Sequence, residues 1–368
     1  MYITVYAIAK NESKFVDQWY ENVKGADAIV VLDTGSTDDT VEKLRAHGVK
    51  VVCKEINPWR FDEARNESLK LVPSKTDICV CTDFDELLDE GWVEALKENW
   101  IVGKTKQCYY TYMWKVDEYN NPLHEFVYSK IHSNDGHWYW KYPVHEDLLR
   151  AEGYELEAED VINLYDRIIL RHHPDPEKTR NSYSDLLEMR FNLYGDSISR
   201  IYSGIDYIGR NMPDKALEMY EPVAISGSDG TLRNNVEQAY CALQCALIFN
   251  NKRNLDRAFA FFRSALRIAP DYRDAYILYA QTLMAVKCFG QAEQVLRDGL
   301  EKSVRHNIWL EQDIMWGGLI YHYLAICCFT QNKMTECAIY ANEACCLEPE
   351  NKTFREWKEQ FVGITQAK

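Results

Sequence analysis

The chain has 368 residues, 46% of them hydrophobic and 13% aromatic, enough apolar material for two packed domains and too much for a disordered chain. Its 42 Lys and Arg against 57 Asp and Glu leave a formal charge of −15. That balance argues against non-specific binding to nucleic acid or to an anionic membrane surface, both of which need local positive charge.

The first half alternates two kinds of segment. Ile3–Ala9 is apolar and β-branched, and Ala28–Leu32 is a short continuous apolar run, the pattern of a strand covered on both faces. Between them a helical pattern runs from near Ser13 to Val23. After the turn Thr34-Gly35-Ser36 a helix is predicted from about Thr37 to His47, with Asp38, Asp39 and Glu42 near its positive end and Gly48 stopping it. Val49–Cys53 reads as a third strand, Phe61–Leu71 as a third helix, and Ile78–Cys81 as a fourth strand running into Asp83-Phe84-Asp85-Glu86. Strand and helix alternating at this spacing predict a parallel sheet with helices on both faces, and ligands bind such sheets outside the carboxyl ends of the strands. Asp33 and Asp83 lie at two such ends.

From about 100 to 170 the text becomes aromatic and alternating: Tyr109–Val116, Phe126–His132, Trp138–Trp140 and Ile168–His172, with Asn120-Asn121-Pro122 as a hairpin turn. These are expected to add antiparallel strands to one edge of the sheet and to shape a pocket.

The second half is helical and repetitive. Ala258, Phe262 and Ala265 ahead of Pro270 recur one unit later, at identical offsets, as Ala292, Leu296 and Gly299. Cys337, Ala341, Ala344 and Pro349 keep the same internal offsets after an insertion, and Gly204, Tyr207, Ala216 and Tyr220 form a looser early copy. Small residues let two helices approach closely while the aromatic fills the next groove, and this text resembles tetratricopeptide repeats. The stretch Ile314–Asn332 lacks Asp, Glu, Lys and Arg but contains His322, and reads as a buried helix rather than a membrane span. Met1–Ala9 has no basic leader, and the twelve cysteines contain no Cys-x-x-Cys. Reduced, buried thiols and a cytoplasmic protein are expected.

Three groups of residues carry chemistry. Asp83 and Asp85 project from a strand end at i and i+2, a pair suited to a hard divalent cation that in turn holds phosphates. Asp33 can accept from a nucleobase N–H or a ribose hydroxyl; the alternative is a turn closed by its neighbours. Arg65, in Phe61-Asp62-Glu63-Ala64-Arg65-Asn66, can read planar acceptors or phosphate, or make a surface ion pair.

On Ala9-Lys10-Asn11-Glu12, Leu32–Thr40, Ala64-Arg65-Asn66 and Asp83-x-Asp85-Glu86, residues 1 to about 175 resemble the family 2 nucleotide-sugar glycosyltransferases. That resemblance implies an α/β, GT-A (Rossmann-like, mixed-sheet) domain over 1–175, followed by an all-α tetratricopeptide-like domain over 176–368. The layout, with Val144-His145-Glu146 and a later histidine, is similar to the bacterial and phage branch that includes enzymes glycosylating bacteriocin peptides. By the same resemblance Ala9, Glu12, Asp33 and Arg65 bind the nucleotide-sugar, and Asp83 touches ribose and metal-bound water. Asp85 ligates Mn²⁺ or Mg²⁺ on the diphosphate. His172 contacts metal or phosphate, with His173 as its neighbour. Lys130 takes a donor-binding place where relatives often carry Arg, and Phe84 sits where a small residue is commoner.

Single-step transfer, which inverts the anomeric centre, needs a base on the far face of the sugar. Tyr142-Pro143-Val144-His145-Glu146-Asp147 offers Glu146 first, Asp147 second, and His145 as base or orienter. Trp138 and Trp140 are candidates for an acceptor-site wall. The donor is expected to be UDP-linked and the acceptor a protein or peptide side chain reached through the repeats. Surface glycans and modified phage DNA bases are the alternatives, and a non-catalytic repeat scaffold is the alternative of another class. A homo-oligomer is compatible with stacked repeats.

Overall fold

A computed structural model describes residues 1–117, 122–175, 183–227 and 229–365. The chain divides into two units, Met1–Arg190 and Phe191–Lys368. The division falls inside a helix, Tyr183–Tyr194, so the first unit extends past the sequence boundary at 175 and takes in Arg190. The expected hairpin turn at Asn120-Asn121-Pro122 falls largely outside the described residues.

In the first unit the chain order is β1 (Ile3–Ala9), α1 (Val16–Val23), β2 (Ala28–Asp33), α2 (Thr40–Ala46), β3 (Lys50–Cys53), α3 (Phe61–Leu69), β4 (Ile78–Cys81), β5 (Glu86–Leu88) and α4 (Trp92–Asn99). It continues through β6 (Gln107–Val116), β7 (Pro122–Ser133), β8 (Trp138–Lys141), β9 (Asp147–Arg150), β10 (Val161–Asn163), β11 (Ile169–His172) and α5 (Tyr183–Tyr194). The main sheet runs β3-β2-β1-β4-β7-β6-β11-β5, with β10 beside β6. β3, β2, β1 and β4 are parallel, as alternation of strand and helix demands.

Beyond β4 the expectation of an antiparallel extension holds only in part. β7 is antiparallel to β4 and β6, but β10 and β11 lie parallel to β6, one after the other along its edge. Alternating polarity in the text defines a strand but not its direction, which the connections decide.

β1 is largely apolar because both of its faces are covered. Ile3, Val5 and Ala7 meet Val16, Trp19 and Val23 of α1, together with Trp92 and Leu96 of α4. Tyr6 points the other way, into a small cluster with Val30, Cys79, Cys81 and Trp140. A separate two-stranded ribbon, β8–β9, lies on that second side.

The second unit is a stack of helices: α6 (Ser197–Gly209), α7 (Pro213–Ser226), α8 (Asn235–Asn251), α9 (Leu255–Ile268), α10 (Arg273–Ala285), α11 (Phe289–Lys302), α12 (Leu319–Thr330), α13 (Met334–Leu347) and α14 (Lys352–Thr365). The repeat positions are the packing positions: Ala258, Phe262, Ala265, Ala292, Leu296 and Cys337 are all fully buried. Among the described residues no helix is long and apolar enough to cross a membrane. The cysteines are free, with Cys53, Cys288 and Cys346 exposed and the others buried.

The insertion ahead of the last repeat copy has a physical form. Residues 303–318, between α11 and α12, make a strap that returns along the stack. Ile308, Trp309 and Leu310 join the cluster that contains Ile198 and Ile201 of α6, and Trp309 stacks on Tyr202 at 4.9 Å. The hydroxyl of Tyr272 donates to the Leu310 carbonyl at 3.3 Å, and the Gln312 amide donates to Asp274 at 3.1 Å. Asp274 is fully buried, and burial pushes its carboxyl up to about 7. The strap thus packs on α6 through Tyr202 and on α10 through Asp274.

Close helix approach yields a stability test. A Cβ added at Gly299 would lie 2.8 Å from Cβ of Tyr276, an atom that cannot swing away, whereas at Gly290 it would meet only a side-chain oxygen of Gln331 at 3.7 Å. Gly299→Ala should therefore destabilise the repeats by about 1–3 kcal/mol, overriding the gain of about 1 kcal/mol that alanine brings to a helix. Gly290→Ala should be neutral or stabilising, and equal melting temperatures for the two variants would contradict this packing.

Candidate active site

The parallel strands β1, β2 and β4 end at one rim. Ala9 is level with Asp33 across the β1–β2 pair, and Tyr6 is level with Cys81 across β1–β4, which brings Asp83 to the same end. The chain therefore gathers the carboxyl ends that carry Glu12, Asp33 and Asp83.

Asp33 is buried and closes its own loop. Its Oδ1 accepts from the Gly35 and Ser36 amides at 3.1 Å each, and Oδ2 accepts from the Ser36 hydroxyl. This is why α2 starts at Thr40 rather than Thr37: Ser36 serves Asp33, and the Thr37 amide donates to Asn11 at 2.7 Å. Ala9 is buried and gives its carbonyl to the Thr34 amide at 2.8 Å, and the Glu12 amide donates to the Thr40 hydroxyl oxygen at 2.8 Å. The two β-strand ends and the loops after them are thus tied together before any ligand is considered.

The centre of the rim is an ionic cluster. Arg65, on α3, is 5% exposed and forks onto Asp83, Nη1 to Oδ1 and Nη2 to Oδ2 at 3.0 Å each, while its Nε donates to Glu146. Behind it Lys130, 4% exposed on β7, places Nζ 2.5 and 2.6 Å from the two oxygens of Glu86 and 3.3 Å from Asp83. Glu86 also accepts from the Asp83 amide at 2.8 Å and from the Tyr112 hydroxyl at 2.9 Å.

Burial works against every charge here, and the partners decide the outcome. The guanidinium and ammonium groups hold the Asp83 carboxyl well below the usual carboxylate range in spite of burial. Asp83 with Glu146, and Asp83 with Glu86, outweigh desolvation and raise Arg65 and Lys130 respectively. Burial raises Glu86, with the nearby Asp83 charge adding to it against Lys130. Two cations face three carboxylates, which leaves the rim negative.

Asp85 and His172 form the neighbouring pair. Nε2 of His172 is 3.5 Å from Oδ2 of Asp85, and Nδ1 is 3.3 Å from the Trp114 carbonyl. A carbonyl only accepts, so Nδ1 carries the hydrogen and a neutral ring turns its Nε2 lone pair towards a carboxylate. Two acceptors face each other, an arrangement that suits a shared proton or a cation with nitrogen and oxygen ligands. Burial lowers the proton affinity of His172, but the hydrogen bond and charge of Asp85 more than reverse it. Trp114 stacks on the ring at 4.5 Å and holds its orientation. The neighbouring His173 contributes its amide, which donates to the Asp85 carbonyl at 2.7 Å.

Several sequence expectations change at this point. Asp83 was expected to touch ribose and the metal or its water; both its oxygens are engaged by Arg65, while Asp85 and His172 face each other beside it. Lys130 was expected to meet the donor, yet it is buried under Asp83 and Glu86 and reaches the rim only through them. Trp138 and Trp140 were expected to wall an acceptor site, but at 8% and 2% exposed both are interior. Their indoles donate to Ser133 and Tyr6, each at 3.0 Å. Of the three base candidates, Glu146 joins the ionic cluster through Arg65, whereas Asp147 opens β9 opposite Lys141 and His145 is exposed at φ 50°.

Two residues escaped the sequence reading. Glu86 stood in the motif text without a role, and Arg190 lies in helical text with nothing to mark it. Neither has a local signal, since each is defined by partners remote in the chain: Lys130 for Glu86, and the Val144 and His145 carbonyls for Arg190.

Behind the cluster a hydrogen-bond chain sets a protonation state. Trp140 Nε1 donates to the Tyr6 hydroxyl at 3.0 Å, Tyr6 donates to Nε2 of His132 at 2.9 Å, and Nδ1 of His132 donates to the Ser133 carbonyl at 2.9 Å. An indole only donates and a carbonyl only accepts, which fixes both ends of the chain; burial keeps His132 neutral, so Tyr6 donates to its Nε2. Burial pushes its pKa from 6.5 down to about 4. The unfolded chain then binds a proton before the folded one does. This contribution to stability is present above pH 6.5 and is lost as pH falls towards 4, by about 3 kcal/mol in all. His132→Gln should flatten that limb of the stability–pH curve while lowering stability at neutral pH; an unchanged acid slope would refute the assignment.

A family model described as glycosyl transferase family 2 matches residues 4–156, and a tetratricopeptide repeat model matches residues 252–309. No curated protein matches the chain. Among solved structures it is similar to the Arabidopsis OM64 TPR domain, at 18% identity over 35% of this chain and 97% of that one, with a TM-score of 0.30. It is also similar to MamA from Desulfovibrio magneticus RS-1, at 16% identity over 46% of this chain and 85% of that one, with a TM-score of 0.35. YrrB, a TPR protein with an unusual peptide-binding site, matches at 12% identity over 48% of this chain and 81% of that one, again with a TM-score of 0.35. The chain joins a glycosyl transferase family 2 domain to tetratricopeptide repeats, and it is a glycosyltransferase.

Proposed function

We propose that the protein is a divalent-metal-dependent, inverting glycosyltransferase that uses a UDP-linked sugar and acts on a protein or peptide. Enzymes of this family generally use a divalent metal. The observation that carries the reading is the Arg65 fork. One buried guanidinium ties Asp83, at the end of β4, to Glu146, on the loop before β9. The group read as donor-side and the group read as acceptor-side are thereby held on opposite arms of one rigid plane.

In this reading Asp33 and Glu12 receive the nucleoside. Asp33 exchanges a loop hydrogen bond for a base N–H, and Asp83, whose side chain is 31% exposed, keeps a face open for a ribose hydroxyl. Asp85 and His172 would hold Mn²⁺ or Mg²⁺. When bound, the cation neutralises the charge that builds on the departing diphosphate. Glu146 takes the proton of the acceptor hydroxyl, thiol or amide as that atom bonds to the anomeric carbon. The carbon–oxygen bond to the diphosphate breaks, and both electrons leave with the phosphate oxygen. Arg65 remains beside Glu146 throughout and stops it from swinging out of line.

The repeats support a protein or peptide acceptor, since stacked helical pairs make surfaces suited to chains. The strap at 303–318 already packs on α6 and α10, so a peptide using that surface has to displace Ile308, Trp309 and Leu310.

Two substitutions test the reading. Asp85→Ala should lower sugar-nucleotide hydrolysis by about 100-fold or more and abolish the Mn²⁺-dependent rise in melting temperature with UDP, because stabilisation by a ligand follows its affinity. Retained turnover with normal metal dependence would overturn the metal assignment. Glu146→Gln should keep that UDP- and Mn²⁺-dependent rise and lose turnover, and a wild-type kcat would place the base elsewhere.

A further inference from the structure

The loop that delivers Glu146 has an unfavourable backbone. Tyr142 at φ 87° and His145 at φ 50° both occupy the left-handed region without being glycine, at a cost of order 1 kcal/mol or more each. Such a loop keeps its shape only if its surroundings over-determine it, and two elements do so.

The first is the start of α3, whose Phe61 amide donates to the Pro143 carbonyl at 3.0 Å. That amide belongs to the first turn of the helix, where no intrahelical carbonyl is available. One turn further along, the same helix presents Arg65 to Glu146. The second is Arg190, on α5. It is 0% exposed, and its Nη1 donates to both the Val144 carbonyl, at 2.9 Å, and the His145 carbonyl, at 2.8 Å. Its guanidinium lies 3.8 Å from the centre of the Tyr142 ring. Arg190 thus touches both strained residues and, between them, the buried Val144. Tyr183, on the same helix, sits over His145 at 6.1 Å and over Phe61 at 5.9 Å.

A wholly buried guanidinium is costly to desolvate, and a leucine or methionine would fill the space more cheaply. What only a guanidinium supplies is a planar donor that can hold two successive carbonyls and lie flat on an aromatic ring. We infer that Arg190 is a positioning residue for transfer: it locks the Tyr142–Glu146 loop in its left-handed turns and so sets the Glu146 carboxylate against Arg65. The inference rests on the reading of Glu146 as the base. Arg190 lies beyond residues 4–156, so the family domain borrows this clamp from the helix that leads out of it.

The test uses the full chain and whichever of UDP-glucose, UDP-galactose and UDP-N-acetylglucosamine it hydrolyses fastest with Mn²⁺. Arg190→Met should lower kcat by about 100-fold, the penalty for a misplacement of roughly 1 Å, with the donor KM changed by less than about threefold. The rise in melting temperature with UDP and Mn²⁺ should be preserved. Arg190→Lys should recover part of the loss, since an ammonium still reaches the two carbonyls but not the ring. In a Glu146→Gln background Arg190→Met should cause no further loss.

A wild-type kcat in Arg190→Met beside an inactive Glu146→Gln overturns the positioning role and leaves the base reading intact. A wild-type kcat in Glu146→Gln refutes the base reading, and the positioning role with it. If Arg190→Met does not fold, Arg190→Lys decides. A lowered kcat at unchanged KM supports the role, whereas wild-type kcat, or a kcat loss matched by a rise in KM, overturns it.

Discussion

Two positive charges lie out of water beneath the rim of the main sheet, and the arrangement of the rim follows from them. Arg65 and Lys130 are both buried, and a buried cation without a partner would be strongly destabilising. Each is therefore surrounded: Arg65 by Asp83 and Glu146, Lys130 by Glu86 and Asp83. Because Asp83 is common to both, the acidic and basic side chains gathered from β5, β7, α3 and the loop after β4 form one object. No member can move without exposing another to an uncompensated charge. This rigidity is what a transfer site needs, since catalysis gains from groups that are already oriented when charge develops.

The cluster is braced on both sides by groups whose roles are fixed by valence rather than by charge. On the inner side the chain from Trp140 through Tyr6 and His132 to Ser133 pins the ribbon β8–β9 to the sheet. On the outer side Trp114 both stacks on His172 and takes its Nδ1 hydrogen, so Nε2 is aimed at Asp85. Loop strain at Tyr142 and His145 is absorbed between these braces by α3 and α5. The family match ends at residue 156, while His172 and Arg190 come later in the chain. β11 and α5, which carry these two residues, lie outside the matched segment.

The repeats follow a different logic. Their small residues serve helix approach, as the lack of room for a Cβ at Gly299 against Tyr276 makes plain, and their acids and bases neutralise one another. Glu293, Cys328 and Glu336 lie close enough together to resemble a metal site, yet Glu293 is held by Arg297, Gln331 and Lys333, and Glu336 pairs with Arg297. The stack also carries the strap, whose Trp309 covers Tyr202 of α6 and whose Leu310 joins the same cluster.

Elements with a strong local period were legible in the text. β1, β2 and β4 are continuous apolar runs because both faces are covered, and α9, α11 and α13 repeat because each must fit its neighbour at the same offsets. The acids at strand ends were legible for the same reason, since a strand end and the side chain after it are neighbours in sequence. The short strands β5, β9 and β10 and the parallel direction of β11 carry no such period and depend on pairing with remote strands. The function of a charge was the least legible property. Glu86 and Arg190 look like any other polar letters, Lys130 reads as a donor contact rather than a group beneath Asp83 and Glu86, and Trp138 and Trp140 look like a surface pair. Sequence by itself determined which side chains could carry charge and where strands would end. Only the tertiary structure decided which charges are buried and therefore forced together, because desolvation depends on what covers a group, and that cover comes from segments far away in the chain.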